Sequence, residues 1–209
     1  MLDLEPILLV GAGGHAKSCI DVIEQEGRFS IEGLIGLENE VGNQILGYPV
    51  VGTDKNFPTL LQNNKNILIT IGQIKSPELR INLYEQLKKY NCNFPTVVSP
   101  SAYISKHAVL GEGTIVMHGA IINAGAVVGD NCIINSQALI EHDVTISAHC
   151  HIATAVAING GVNIGQGTFI GSNSSIRQNI SIEENSLIGM GQQVLSDCTA
   201  GTQIPKLKG

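Results

Sequence analysis

From Ile104 to Val194 every sixth residue is isoleucine, leucine or valine, without a gap. A period of six is neither the 3.6 of a helix nor the two of an isolated strand. It is the repeat of a parallel β-helix, a solenoid in which the chain winds round a triangular prism, six residues to a side. Two residues before each aliphatic runs a column of mostly small residues: Ala102, Ala108, Thr114, Ala120, Ala126, Cys132 and Ala138, and later Thr168, Ser174 and Ser186. Strand alternation turns both columns inward, so the residue between them faces out. That outer column reads Tyr103, Val109, Ile115, Ile121, Val127, Ile133 and Leu139, then Thr145, His151, Ala157 and Asn163. Apolar residues outward on all three sides of the first coils need cover. The remainder of the chain and neighbouring subunits are expected to supply it, and a homotrimer is the natural way to cover a prism. Cys132 and Cys150 fall one coil apart, and Thr114 and Thr168 continue their column, so both cysteines are expected to be small core residues rather than a disulfide.

The first 96 residues follow another pattern. Ile7–Val10 is a short apolar strand, followed by Gly11-Ala12-Gly13-Gly14-His15-Ala16-Lys17. Cys19, Ile20, Val22 and Ile23 suggest a short helix ending near Gly27. Ile31–Ile35 and Ile67–Ile71 read as parallel strands, and Pro77–Tyr90, with Leu79, Leu83 and Leu87 at spacing four, as a helix. This is an α/β Rossmann-like half-domain, too short for the full two-halved sheet. The expected organisation is a small nucleotide- or sugar-binding domain over residues 1–96 and a hexapeptide-repeat β-helix over 97–209. Net charge is −6 with charged residues at 14% and no dense Lys/Arg cluster, which argues against nucleic acid and anionic membrane as partners. No segment reaches transmembrane length and Ile7–Val10 is too short for a signal-peptide core, so a cytoplasmic protein is expected.

Three places could carry chemistry. Gly11, Gly13 and Gly14, between a strand and a helix, fit G-x-G-x-x-A, a turn that lets backbone N–H groups approach a phosphate. Alone this is a weak signal, since a tight strand-to-helix turn has the same glycines. Glu141-His142-Asp143 is the densest titratable cluster of the solenoid. His142 stands two residues beyond an inward isoleucine, at a corner, where flanking carboxylates can fix its tautomer and keep it basic near neutral pH. His149 and His151 are two apart, but no third ligand follows at metal-site spacing, and no metal is expected. His107 and His118 read as surface or interface residues.

The segments GAGGHAK, IEHD and HIATAVAINGGVNIG, in that order and spanning nearly the whole chain, resemble one family: the NeuD/PglD-type sugar acetyltransferases, left-handed β-helix enzymes that acetylate bacterial nucleotide amino sugars or sialic acid. The resemblance implies acetyl-CoA as co-substrate, a homotrimer, and active sites between adjacent solenoids. It implies His142 as catalytic base with Asp143 beside it. Gly11, Gly13, Gly14, His15, Asn135 and His151 would then contact the acceptor. His151, Gly160, Gly161, Gly189 and Gly191 would accommodate the acetyl-CoA arm. Members that take a uridine-linked sugar commonly carry an acidic pair after the second strand; here Gly36-Leu37 stands there, with Glu38 one step later, which leaves the nucleotide open. The expected reaction is N-acetylation of a nucleotide-linked amino sugar of the 4-amino-4,6-dideoxy type, for a bacterial surface glycan or a nonulosonic acid. O-acetylation of a sialic-acid-like sugar with the same base, and a non-catalytic scaffold that binds sugar or acetyl-CoA, stay open beside it.

Overall fold

A computed structural model describes residues 4–62 and 66–205. The apolar run near the N-terminus forms β1 (Glu5–Val10), and α1 (Gly14–Glu26) follows. That helix buries Ala16, Cys19, Ile20, Val22 and Ile23 along one stripe, the spacing an amphipathic helix requires. It stops at Gly27, whose left-handed φ of 70° lets its N–H reach the Ile23 carbonyl at 3.1 Å. After β2 (Phe29–Ile35) come β3 (Gln44–Ile45), β4 (Tyr48–Gly52), α2 (Phe57–Leu60), β5 (Ile67–Ile69) and α3 (Glu78–Lys88). The sheet order is β3-β4-β2-β1-β5, parallel throughout except for the β3/β4 hairpin. Order reverses about β1, so a crevice opens beyond the carboxyl ends of β1, β2 and β5. The hairpin strands carry no clear alternation in sequence, and the expected Rossmann-like unit acquires them as an addition at its edge.

From Val97 onward the period of six becomes three parallel sheets of two-residue strands, the faces of the prism. The first face holds the strands that begin at Tyr103, Ile121, Leu139, Ala157, Ser175 and Gln193; the second those at Val109, Val127, Thr145, Asn163 and Ser181; the third those at Val97, Ile115, Ile133, His151, Phe169, Leu187 and Gln203. Successive strands of a face pair in register 18 residues apart, for example Ile133 with His151, until the last pair of the third face, where Leu187 meets Gln203. The aliphatic and small columns fill the interior, where Ile122, Ile134, Cys132, Ala138 and Ile152 are wholly buried. Cys132 and Cys150 are free thiols directed at the Ser147 and Gly165 carbonyls, 3.2 Å away in each case. Many corners take a left-handed turn on residues other than glycine, including Asn131, Gln137, Asp143 and His149, with φ between 52° and 61°.

The three faces differ outside. On the third, Ile115 and Ile133 are fully buried in one cluster with Ile20, Ile23 and Met117, so α1 lies on that face. Burying each such isoleucine stabilises the docking by roughly 1.5–3 kcal/mol. On the first and second faces Tyr103 and Val109 stay 60% and 58% exposed, with Ile121 and Val127 also open. The N-terminal region therefore covers one face, and two apolar faces are left. Arg80 of α3 ties the halves together: its guanidinium donates to the Ile69 and Ile71 carbonyls and, across the seam, to the Asn131 carbonyl (3.0 Å) and Oδ1 (2.7 Å). His118 bridges Ser99 and Asp21 of α1 at 2.7 and 2.8 Å, an interface role as expected. No helix among the described residues is long and apolar enough to cross a membrane.

Candidate active site

The crevice beyond β1, β2 and β5 is a cavity of about 520 Å³ walled by Gly11, Gly13, Gly14, His15, Leu37, Thr70 and Leu79 among others. Its glycines divide by cause. A side chain at Gly11 would come within 2.4 Å of Ile71, and its φ is 121°, so the fold itself demands glycine. Side chains at Gly13 and Gly14 would meet nothing within 4 Å, so packing does not require glycine there, and both leave open room beside the start of α1. Gly13 caps α1 without a side-chain hydrogen bond, and no acidic residue sits in the first turn. The free N–H groups and the positive end of the helix dipole suit an anionic group.

His15, on that first turn, faces the solenoid. Its ring centroid lies 6.3 Å from that of His151, and its Nε2 has no hydrogen-bond partner among the described residues. His151 points outward from the third face yet is only 7% exposed, because the loop after β5 lies over it. Its Nδ1 donates to the Gln73 carbonyl at 2.6 Å, which fixes the tautomer and leaves Nε2 as an acceptor 3.4 Å from Asn135 Nδ2. Phe169 meets the same ring edge-on at 5.2 Å. Burial lowers the pKa of both histidines, to about 3 for His15, where His151 and Arg80 add to the effect, and to about 4 for His151. This pair is neutral at physiological pH.

His142 is the opposite case. It stands on the edge between the first and second faces with its side chain 65% exposed. Nδ1 lies 2.9 Å from Asp143 Oδ2, and that hydrogen bond raises the pKa of the imidazole. The backbone turns left-handed at Asp143 (φ 59°), which aspartate tolerates better than most residues. With Nδ1–H held by the carboxylate, the Nε2 lone pair is free. It points along the edge to Gly160, one coil on, where a β-carbon would lie 2.6 Å from both Nε2 and Cε1. Gly160 thus leaves the space the ring occupies. Gly161 beside it has φ 68° and donates its N–H to the His142 carbonyl at 3.0 Å.

The residues singled out in the sequence therefore gather at two places. His142, Asp143, Gly160 and Gly161 share one edge. Gly11, Gly13, Gly14, His15, Asn135 and His151 converge on the third face and its border with the first, the same border that carries Gly189 and Gly191 higher up. Gly189 is also needed by packing, since a side chain would press on Pro205 at 2.9 Å. His149 does not join His151: it turns to Asn131 and Tyr84. Among the described residues no group of three or more His, Cys, Asp or Glu side chains could hold a metal ion. Gln73 and Arg80 were not visible as site residues in the sequence, because each acts through long-range contacts that no local motif marks.

Two family signatures match the chain: the PglD N-terminal domain over residues 6–87, and the bacterial transferase hexapeptide (six repeats) over residues 107–142. No curated protein matches. Among solved structures, PerB from Caulobacter crescentus, in complex with CoA and GDP-perosamine, is 30% identical with a TM-score of 0.89, and the match covers 100% of both chains. A histidine-to-asparagine mutant of perosamine N-acetyltransferase from the same organism, also with CoA and GDP-perosamine, is 30% identical over 100% of this chain and 99% of that one, with a TM-score of 0.90. The acetyltransferase domain of PglB from Neisseria gonorrhoeae, in complex with acetyl coenzyme A, is 25% identical over 95% of this chain and 94% of that one, with a TM-score of 0.86.

Proposed function

Because this chain belongs to the NeuD/PglD-type sugar acetyltransferases, left-handed β-helix enzymes of the hexapeptide class, we propose that it transfers the acetyl group of acetyl-CoA to the amine of a nucleotide-linked amino sugar. Residues 1–96 hold the nucleotide, with its phosphates at Gly13 and Gly14, and residues 97–209 supply the catalytic prism. The observation that carries this reading is the His142–Asp143 pair, an exposed imidazole with one nitrogen bonded to carboxylate at 2.9 Å and the other free.

In the proposed reaction the sugar nitrogen attacks the thioester carbonyl while His142 Nε2 takes a proton from it. The tetrahedral intermediate then collapses, the C–S bond breaks, and the proton passes from His142 to the departing CoA sulfur. General-base assistance of this kind contributes about 10²–10⁴-fold. The Gly160 N–H is the candidate donor to the oxyanion, since the coil-to-coil ladder runs through its neighbours Asn159 and Gly161. His151, neutral with Nε2 as an acceptor, suits a hydroxyl or amine of the acceptor, together with Asn135 and His15.

The edge with His142 lies opposite the face that carries His151 and the N-terminal region. One chain therefore separates its base from its own acceptor pocket, and a second chain packed on the open first and second faces would bring them together. A cytoplasmic homotrimer with sites between subunits meets that requirement. The test is CoA thiol release from acetyl-CoA against amino sugars linked to GDP, UDP and dTDP, with free sialic acids as a hydroxyl control. Release with at least one nucleotide-linked amino sugar is expected. Release with sialic acids alone would assign O-acetylation, and none with any acceptor would remove the transferase reading.

A further inference from the structure

We infer that the cavity beyond β1, β2 and β5 is a guanine-nucleotide site in which Glu38 and Lys55 read the base; the inference rests on the nucleotide-sugar reading above and deepens it. The cavity has a direction. Its glycine turn follows β1, which lies between β2 and β5, and on the β5 side His15 stands beside Gly72 and reaches towards His151, where a sugar would be held. A ligand with its phosphates on the turn and its sugar at His15 extends its nucleoside the other way, towards Leu37, Glu38, Asp54 and Lys55. There Leu37 is 68% exposed, and Leu79 of α3, on the same cavity, is 58% exposed. Large aliphatic side chains left open inside a concave site suit a flat apolar ring.

The polar groups at that end choose among the bases. Lys55 Nζ lies 3.3 Å from Glu38 Oε2, and both side chains are about four-fifths exposed, at 80% and 79%. An ion pair this exposed adds little to stability. Neither group has a further hydrogen bond among the described residues. The neighbouring Glu40, by contrast, is committed to the Leu37 N–H at 2.8 Å. The pair thus sets a two-oxygen acceptor directly beside a cationic donor. Guanine alone among the common bases offers the complement: adjacent N1–H and N2–H donors, which a carboxylate can take in parallel, next to the O6 acceptor for an ammonium. Uracil and thymine have one N–H between two carbonyls, so one carbonyl oxygen would face the carboxylate. Adenine and cytosine place one amino group next to an acceptor nitrogen and leave the second carboxylate oxygen unmatched.

Calorimetric titration of the whole chain with GDP, IDP, UDP and ADP tests this without turnover. GDP is expected to bind about tenfold or more tightly than UDP or ADP, and about tenfold more tightly than IDP, which lacks only the N2 amine. Glu38→Gln should close the gap between GDP and IDP, whereas Lys55→Met should weaken both and keep the gap. UDP or ADP binding as well as GDP would overturn the inference. So would a GDP–IDP gap that survives Glu38→Gln, or an equal loss for all four nucleotides, the mark of a ribose contact. Failure of every nucleotide to bind would remove the nucleotide site altogether. The expected binding pattern without CoA release from any GDP-linked amino sugar would leave the base assignment standing and remove only the transferase reading.

Discussion

His142 and His151 lie on the same prism, nine residues apart in sequence, in opposite environments. His142 is open to solvent and its pKa is raised by Asp143; His151 is buried under the loop after β5 and its pKa is pushed down to about 4. In the first, the carboxylate beside the open imidazole favours the protonated form, which suits a group that takes up a proton during the proposed reaction. The second is held neutral, with its tautomer set by a backbone carbonyl, and can only accept or donate a hydrogen bond. In the proposed reaction these two environments make one histidine the proton carrier, on a bare edge, and the other a neutral recognition group beneath the N-terminal region.

The sharpest break of this contrast is to delete each ring. His142→Ala is expected to lower kcat by about 10²–10⁴-fold with KM for acetyl-CoA little changed. His151→Ala should act chiefly on KM for the acceptor. Steady-state kinetics read both, and equal kcat losses in the two variants would erase the distinction.

Acid separates the two regions by stability. His15 and His151 titrate near 6.5 when unfolded but only near 3 and 4 when folded, so below about pH 6.5 the unfolded chain binds more protons than the native one. Stability present above that pH is lost as pH falls towards 4, by about 3 kcal/mol for His151 alone. Urea unfolding at pH 7 and pH 4.5 measures it. His151→Gln should flatten the dependence, and an unchanged slope would contradict the buried, neutral assignment.

A smaller effect is expected from Gly160→Ala. Its methyl would stand 2.6 Å from the His142 ring, which must swing away from Asp143. We expect a fall in kcat of about tenfold, from a misplaced base, with an unchanged melting temperature. If kcat instead stays at the wild-type value, Gly160 does not hold the ring's place. The mildest change is Asp143→Asn: without the carboxylate the His142 pKa falls, and since the base acts unprotonated, the acid limb of the kcat profile moves to lower pH. A limb that stays in place would dissociate Asp143 from the base.

The prism was legible because Ile104 to Val194 repeat a single geometric requirement, and the same count placed His142 at a corner, two residues beyond an inward isoleucine. The meeting of His15 with His151 was not, since it depends on how the N-terminal region docks on the third face. Ile115 and Ile133 look like Tyr103 and Val109 in the sequence, yet the first two are covered and the second two are open. The Arg80 clamp on Asn131 escaped for the same reason: neither residue sits in a motif, and their 51-residue separation is closed only by tertiary packing. Local periodicity reports the inside of a solenoid and is silent on what lies against it.

The claim that the two histidines act together only across subunits is tested most directly by complementation. Chains with His142→Ala and chains with His151→Ala are co-refolded and assayed for CoA release at an acceptor concentration well below KM, where each variant is deficient alone. The account predicts that mixed assemblies recover about a quarter of wild-type activity, the share of sites that would pair one intact His142 with one intact His151 in random trimers. A mixture no more active than its components would contradict it.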